Sequence, residues 1–262
     1  MQVGIIGAGP AGISAAVFLK RYGIDVALFE KKRIGGLINN AWRVENIPFF
    51  QPLPGKKIVE NMKSYLELYN VNIIFEEVKE VYDKRIITEK DTYYFDYIIV
   101  ASGTVPNRIE ELEGKRVYYE FLDLPDNIES VAIYGAGDVA FDGAIQAKIL
   151  RKNVHIFNRS NRIKALSRLV NIASSLGVIY HESEPIQIVE NKENYVIIHT
   201  KKSVYKFDAL LLATGRKVDL SFLKTDKVFL IGDVAHPNFR QASIAMGDGI
   251  KIAMKIIGEG KV

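Results

Sequence analysis

The 262-residue sequence contains no cysteine. That excludes a disulfide framework, a thiolate metal site and a dithiol redox centre. No apolar run approaches the roughly 20 residues that a membrane helix needs. The N-terminus has no basic leader, and its apolar segment reads as a strand. The expectation is a cytoplasmic protein with no membrane partner. His155, His181, His199 and His236 are the only histidines, and they show no metal-ligand spacing. There is no basic arm and no DNA- or RNA-binding motif, so no nucleic-acid partner is expected. The net charge is +4. It reads as a solvated Lys/Glu surface, with attraction of an acidic protein partner as the alternative. Hydrophobic residues make up 48% and charged residues 25%, the balance of a soluble globular chain. The length allows one large domain or two modest ones.

What is present is concentrated in Val3 to Glu30, VGIIGAGPAGISAAVFLKRYGIDVALFE. Val3, Ile5 and Ile6 form a short apolar run suited to a strand buried on both faces. Gly7, Gly9 and Gly12 follow with GxGxxG spacing, enclosing Pro10 and Ala11. Gly7 permits a tight turn, Gly9 lets backbone approach a pyrophosphate, and Gly12 lets the helix pack close to the strand. The helix N-terminus offers free N–H groups and a favourable dipole to phosphate. Ala15, Ala16, Leu19 and Tyr22 continue at helical spacing, Gly23 ends the helix, and Val26 to Phe29 is the second strand. Glu30 closes that strand, with Lys31 after it. An acid there can accept hydrogen bonds from adenosine ribose hydroxyls. Strand, glycine turn, helix and terminal acid together make a dinucleotide fingerprint far stronger than the glycines alone.

Gly35-Gly36 forms a second glycine pair, of the kind that lets backbone approach a ligand closely. Pro48, Pro52, Pro54 and Gly55 mark a surface loop. Ile58 to Tyr69 reads as an amphipathic helix with Met62, Tyr65, Leu66 and Tyr69 on one face. Val71 to Phe75 is a strand, Val78 to Tyr97 a strand meander, and Tyr97 to Ala101 a buried strand ending in Ser102-Gly103-Thr104.

The first pattern then repeats. Ser130 to Arg159 gives an apolar strand, Gly135 and Gly137, then Asp138, Val139 and the small Ala140 in place of a third glycine. A helix and the strand Val154 to Phe157 follow. Two such units mean two nucleotide sites. The second lacks the terminal acid and has Asn158-Arg159 instead, with Arg162 and Lys164 close behind. A carboxylate would repel a 2′-phosphate, whereas an arginine accommodates one bidentately. The first site therefore suits FAD and the second leans to NADPH, with NADH as the alternative. An exposed surface arginine is the competing reading of Arg159. Asp208 to Ala213, followed by Thr214-Gly215, mirrors residues 96–103 and looks like the second chain crossing of an inserted domain. Val228 to Ile257 reads as strand, Gly232-Asp233, loop and helix. An Asp after Gly at a strand end suits hydrogen bonding to a polyol such as the flavin ribityl chain.

Taken in order, GAGPAG, GGLINNAWRVENIP, the hinges ASG and ATG, GAGDVA and GDVAHPNFRQA resemble the thioredoxin reductase family of two-dinucleotide-domain flavoproteins. The resemblance covers nearly the whole chain. It implies an α/β fold of two Rossmann-like, three-layer dinucleotide-binding domains, the second inserted in the first. The expected parts are residues 1–107 and 215–262 for FAD and 108–214 for NAD(P)H. It implies that Gly36, Leu37 and Asn46 line the FAD, that Val78 holds the adenine by its backbone, and that Ala101, Ser102 and Gly103 form the first hinge. Asp233 would bind the ribityl chain, and Arg240, Gln241 and Ala242 would sit by the isoalloxazine. Asn158, Arg159 and Lys164 would be the partly kept NADPH cluster, and Ala213, Thr214 and Gly215 the second hinge. A homodimer is implied.

One departure is informative. In that family a Cys-x-x-Cys pair precedes the second Rossmann strand. Here the matching stretch is KRVYYEFLDLPDN, with Glu120 and Asp123 at the two cysteine positions. A carboxylate cannot relay electrons by disulfide exchange. Glu120 and Asp123 read as a solvated loop, with an acid/base pair as the competing reading. Tyr118, Tyr119 and Phe121 read as core or interface packing, with flavin contact as the alternative. His236 is a candidate proton donor. The sequence thus predicts a flavin-dependent NAD(P)H oxidoreductase that passes hydride to FAD and on to a non-disulfide acceptor: an acidic ferredoxin-type carrier, oxygen or a quinone. The rival is a non-catalytic FAD/NAD(P) sensor or assembly protein.

Overall fold

The computed structural model describes residues 1–260. The chain forms two compact units. One comprises Met1–Asn39, Val44–Val105 and the residues from Lys217 onward; the other comprises Asn40–Arg43 and Pro106–Arg216. The breaks expected from sequence are 107/108 and 214/215; in the structure residues 40–43 also join the second unit. They do so through hydrogen bonds. The Trp42 N–H donates to both oxygens of Asp142 at 2.9 and 3.1 Å, and the Gln146 amide donates to the Asn40 carbonyl at 2.6 Å.

The first unit is built on a five-stranded parallel sheet in the order Phe229–Leu230, Tyr97–Val100, Gln2–Ile6, Asp25–Phe29, Asn72–Ile74. Its strands are apolar on both faces because both are covered. Val3, Ile5, Leu28 and Ile99 pack under the helices, with Leu19 of Pro10–Arg21, Leu66 of Gly55–Leu68 and Ile256 of Ala242–Glu259. Ile6, Phe29, Ile98 and Val100 face the antiparallel ribbon Val78–Tyr82, Arg85–Thr88, Thr92–Tyr94 and bury Val81 and Ile86. The helix Ala242–Glu259 lies against Pro10–Arg21 because Gly249 has no side chain. A Cβ there would come within 2.4 Å of the Ala11 carbonyl oxygen.

The second unit repeats the plan. Its parallel sheet runs Ile179–His181, Asn153–Phe157, Ser130–Tyr134, Ala209–Leu212, Val117–Tyr118. The helices Asp138–Ile149 and Ser167–Ser175 cover one face. The ribbon Ile188–Asn191, Val196–His199, Val204–Phe207 covers the other. The helix Ser167–Ser175 is absent from the sequence reading, although Leu169, Val170 and Ala173 carry the spacing of a buried helical stripe. Among the described residues, no helix is long and apolar enough to cross a membrane.

Candidate dinucleotide sites

Both units fold their glycine turns with one geometry. The Gly7 N–H donates to the Phe29 carbonyl at 2.8 Å, and the Gly135 N–H to the Phe157 carbonyl at 3.0 Å. Each glycine takes a left-handed φ, +104° at Gly7 and +139° at Gly135. A Cβ on either would strike the end of the adjoining strand, 2.4 Å from the Ala101 oxygen or 2.3 Å from the Ala213 oxygen. Gly12 is needed because its Cβ would fall 1.9 Å from the Gly7 oxygen; Ala140 is fully buried at the corresponding place.

Gly9 and Gly137 differ from these. Their φ angles, −86° and −100°, suit any residue, and a Cβ on either would meet nothing within 4 Å among the described residues. The protein itself gives no reason for glycine at these two positions. The open space sits at the start of helices Pro10–Arg21 and Asp138–Ile149, neither of which has a side-chain N-cap. N–H groups without a side-chain cap, a positive dipole end and a cradle that a Cβ would fill are what a pyrophosphate requires. The residues fit a dinucleotide at both turns.

Around the first turn the structure gathers most of the residues named from sequence. The Glu30 carboxylate accepts from Ala8 N–H at 2.9 Å through one oxygen, and from Lys32 and Arg33 N–H at 2.8 and 3.1 Å through the other. An acceptor-only group is thereby fixed at the turn with lone pairs to spare. Lys31 is exposed and pairs with Glu77. The Gly35 N–H donates to the Ala8 carbonyl at 2.7 Å, which sets Gly36 against Gly9: a Cβ on Gly36 would lie 3.4 Å from the Gly9 Cα. Leu37 is exposed beside this pair, and Val78 packs in the cluster containing Phe29. Ser102 and Gly103 follow the strand end that abuts Gly7. Gly232, at φ +70°, lies against Ala11, which brings Asp233 near the glycine-turn helix. The Asn46 amide donates to Gln241 Oε1 at 2.6 Å, ahead of Ala242 and beside the exposed Arg240. Sequence reasoning missed Ser243, whose buried Oγ has no hydrogen-bond partner among the described residues. It also missed Asp248, which accepts from Gly232 N–H at 3.0 Å and pairs with His236 at 3.2 Å.

In the second unit, Asp138 Oδ1 accepts from Leu166 N–H at 2.8 Å, and Val139 is exposed on the first helical turn. The Lys164 N–H donates to the Ala136 carbonyl at 2.8 Å, as Gly35 does to Ala8, so residues 158–164 fold over the turn. Arg159, Arg162 and Lys164 are exposed. Asn158 is not: it is 5% exposed, and its amide donates to the Arg162 carbonyl and the Tyr180 hydroxyl. Its side chain shapes the loop. Thr214 donates to the Asn107 carbonyl, and the Gly215 carbonyl accepts from Asn107 N–H.

Glu120 is not in a solvated loop. Its Oε1 accepts from Arg216 at 2.7 Å and its Oε2 from Asn40 at 2.6 Å, with side-chain exposures of 19% for Glu120 and 15% for Arg216. Tyr118 and Phe121 pack in the helix-side core. Tyr119 packs on the ribbon side, and its hydroxyl accepts from Ile109 N–H and donates to Glu113. Among the described residues there is no cluster able to hold a metal ion.

The sequence profile of the pyridine nucleotide-disulphide oxidoreductases matches residues 1–249, and the chain belongs to that family. It is a flavin-dependent NAD(P)H oxidoreductase, similar to thioredoxin reductase but without the Cys-x-x-Cys. It is 29% identical to the thioredoxin reductase of Ureaplasma parvum, over 95% of this chain and 94% of that one. It is 26% identical to the ferredoxin–NADP reductase of Ligilactobacillus salivarius, over 95% and 87%. The crystal structure of T. acidophilum thioredoxin reductase superposes with a TM-score of 0.85 at 24% identity, covering 99% and 98% of the two chains, and shows the shared fold.

Proposed function

We propose that the chain draws reducing equivalents from NADPH and delivers them to a non-disulfide acceptor, an acidic one-electron carrier of ferredoxin type ahead of oxygen or a quinone. The observation that carries the proposal is Glu120. At the place the resemblance gives to a redox cysteine stands a carboxylate occupied by Arg216 and Asn40, in a chain with no thiol. Such a group neither exchanges with a disulfide nor offers a free acid/base pair. When bound, the flavin supplies hydride acceptance and electron release. The chain supplies the rest. Gly9 and the start of helix Pro10–Arg21 hold the pyrophosphate of FAD, Glu30 the ribose, and Asp233 the ribityl chain. Arg240, Gln241 and Ala242, with Asn46, hold the far end. Gly137 receives the nicotinamide nucleotide, and Arg159 with Lys164 reads its 2′-phosphate. Similarity to a ferredoxin–NADP reductase supports the choice of carrier. Steady-state NADPH turnover with dye, oxygen and thioredoxin as separate acceptors tests the reading. Turnover with dye or oxygen and none with thioredoxin is expected; thioredoxin reduction above a free-flavin control contradicts it.

A further inference from the structure

Beneath the 158–164 loop lies a buried polar network that the chemistry above does not use. Glu184 is 4% exposed. Its Oε1 accepts from the Thr200 hydroxyl at 2.7 Å and the Tyr205 hydroxyl at 2.9 Å; its Oε2 faces His181 Nδ1 at 3.3 Å and Lys202 Nζ at 3.7 Å. Burial pushes this carboxyl up, but the hydrogen bonds from Thr200 and Tyr205 and the neighbouring His181 outweigh it and hold it below the usual range. The second ring nitrogen of His181 meets His155 Nδ1 at 2.9 Å, and its ring stacks on Phe157 at 4.3 Å. With Glu184 ionised, His181 donates to it through Nδ1 and accepts from His155 through Nε2.

The backbone of this network grips the loop. The Asn158 N–H donates to the His181 carbonyl at 3.0 Å, the Glu184 N–H to the Asn158 carbonyl at 2.8 Å, and the Ser183 N–H to the Ser160 carbonyl at 3.2 Å. Arg159 thus sits between two clamped carbonyls while its own side chain is exposed. Ser183 makes its bond to Ser160 with a left-handed φ of +50°. A non-glycine residue persists there only where its surroundings over-determine it, and such strain collects at functional sites. Here the over-determining groups are Glu184 on one side and Lys202 on the other, which donates to the Glu182 carbonyl at 3.1 Å.

We infer that Glu184 and His181 are positioning residues for nucleotide selection: they pin the strained 182–184 turn, which clamps the backbone on either side of Arg159 and fixes where its guanidinium can meet a 2′-phosphate. The inference rests on reading 158–164 as the loop that distinguishes NADPH from NADH. Glutamine at 184 would remove the charge that Lys202 and His181 face and set its NH2 against the donor-only Lys202 ammonium, releasing the turn without removing bulk.

The test is calorimetric titration of the FAD-loaded protein with 2′,5′-ADP and with 5′-AMP, which differ only in the 2′-phosphate. It uses wild type, Glu184→Gln, His181→Phe (which keeps a ring against Phe157), Arg159→Ala, and Arg159→Ala combined with Glu184→Gln. A loosened charge-assisted contact should lose about tenfold in 2′,5′-ADP affinity, with 5′-AMP changed by less than about twofold. In parallel, KM for NADPH rises with kcat unchanged. In the Arg159→Ala background, Glu184→Gln should add nothing, because its effect passes through that arginine. If Arg159→Ala leaves the ratio of the two affinities unchanged, the loop reading fails and takes the inference with it. If Arg159→Ala lowers the ratio but Glu184→Gln and His181→Phe do not, the loop reading stands and the clamp is overturned. Equal losses for both ligands, accompanied by a lower Tm, also overturn it.

Discussion

Arg216 donates to Glu120 at 2.7 Å across 96 residues of sequence, inside the second unit. Both side chains are mostly buried, and the other carboxylate oxygen is taken by Asn40. On the proposed reading the pair is structural. Removing one member leaves the other charge poorly solvated, so Glu120→Ala should destabilise by about 2–4 kcal/mol in denaturant titration. Glu120→Gln should keep NADPH–dye turnover within about twofold, because a residue outside the chemistry leaves kcat alone. A turnover loss of about a hundredfold in a folded Glu120→Gln variant would restore the acid/base reading.

Arg159→Ala should lower kcat/KM for NADPH by about 10- to 100-fold, the loss of one charge-assisted phosphate contact. The value for NADH should not move. A wild type that favours NADH, or a variant with the wild-type ratio, removes Arg159 as the selector.

Glu30→Ala removes the acceptor of three backbone N–H groups and, on the proposed reading, of the FAD ribose hydroxyls. FAD retention should weaken by about 1.5–3 kcal/mol, measured as the dissociation constant on reconstitution of apoprotein. Unchanged FAD affinity would show that the carboxylate serves the loop alone.

Two partly buried groups, His155 and Asp142, give opposite slopes to stability against pH. Burial, with the nearby His181 and Lys148, lowers His155 from 6.5 to about 4. The unfolded chain therefore takes up this proton first. The contribution is fully present above about 6.5 and is lost as pH falls toward about 4. Burial, with the charge of Asp138, raises Asp142 from 3.8 to about 6 against the hydrogen bonds from Trp42 and Gln146. Here the folded state holds the proton, so the contribution is present below 3.8 and is lost as pH rises through about 6. Urea titrations at several pH values should show Asp142→Asn gaining stability over wild type above pH 6, by about 1–2 kcal/mol. His155→Phe should flatten the acid limb. If neither variant alters the pH profile, these two groups do not set it.

The fold was legible because its determinants are local. Six residues specify each glycine turn, and apolar runs flanked by small residues announce the strands on either side. Gly7, Gly12 and Gly135 answer to steric demands that a spacing rule encodes. The placement of Glu30 against the glycine turn was legible because it follows from position at a strand end alone. It was illegible where function depends on partners far along the chain. Asn158 reads as a nucleotide contact until Tyr180, 22 residues on, is seen to occupy its amide. Glu120 reads as solvated until Arg216 is placed beside it. Glu184 and His181 carry no motif; what joins their backbone to residues 158–160 is the turn with a left-handed Ser183. Ser243 is one serine among many until the helix start buries its hydroxyl with no partner among the described residues.

The most direct test of the account is stopped-flow mixing of anaerobically NADPH-reduced protein with oxidised ferredoxin, and separately with oxidised thioredoxin, at low and high salt. Flavin absorbance should return rapidly with ferredoxin and not with thioredoxin. The ferredoxin rate should fall once salt exceeds about 0.1 M, where the screening length is about 10 Å and steering of an acidic carrier fades. Reoxidation by ferredoxin no faster than by buffer, or reoxidation by thioredoxin at a comparable rate, would contradict the account.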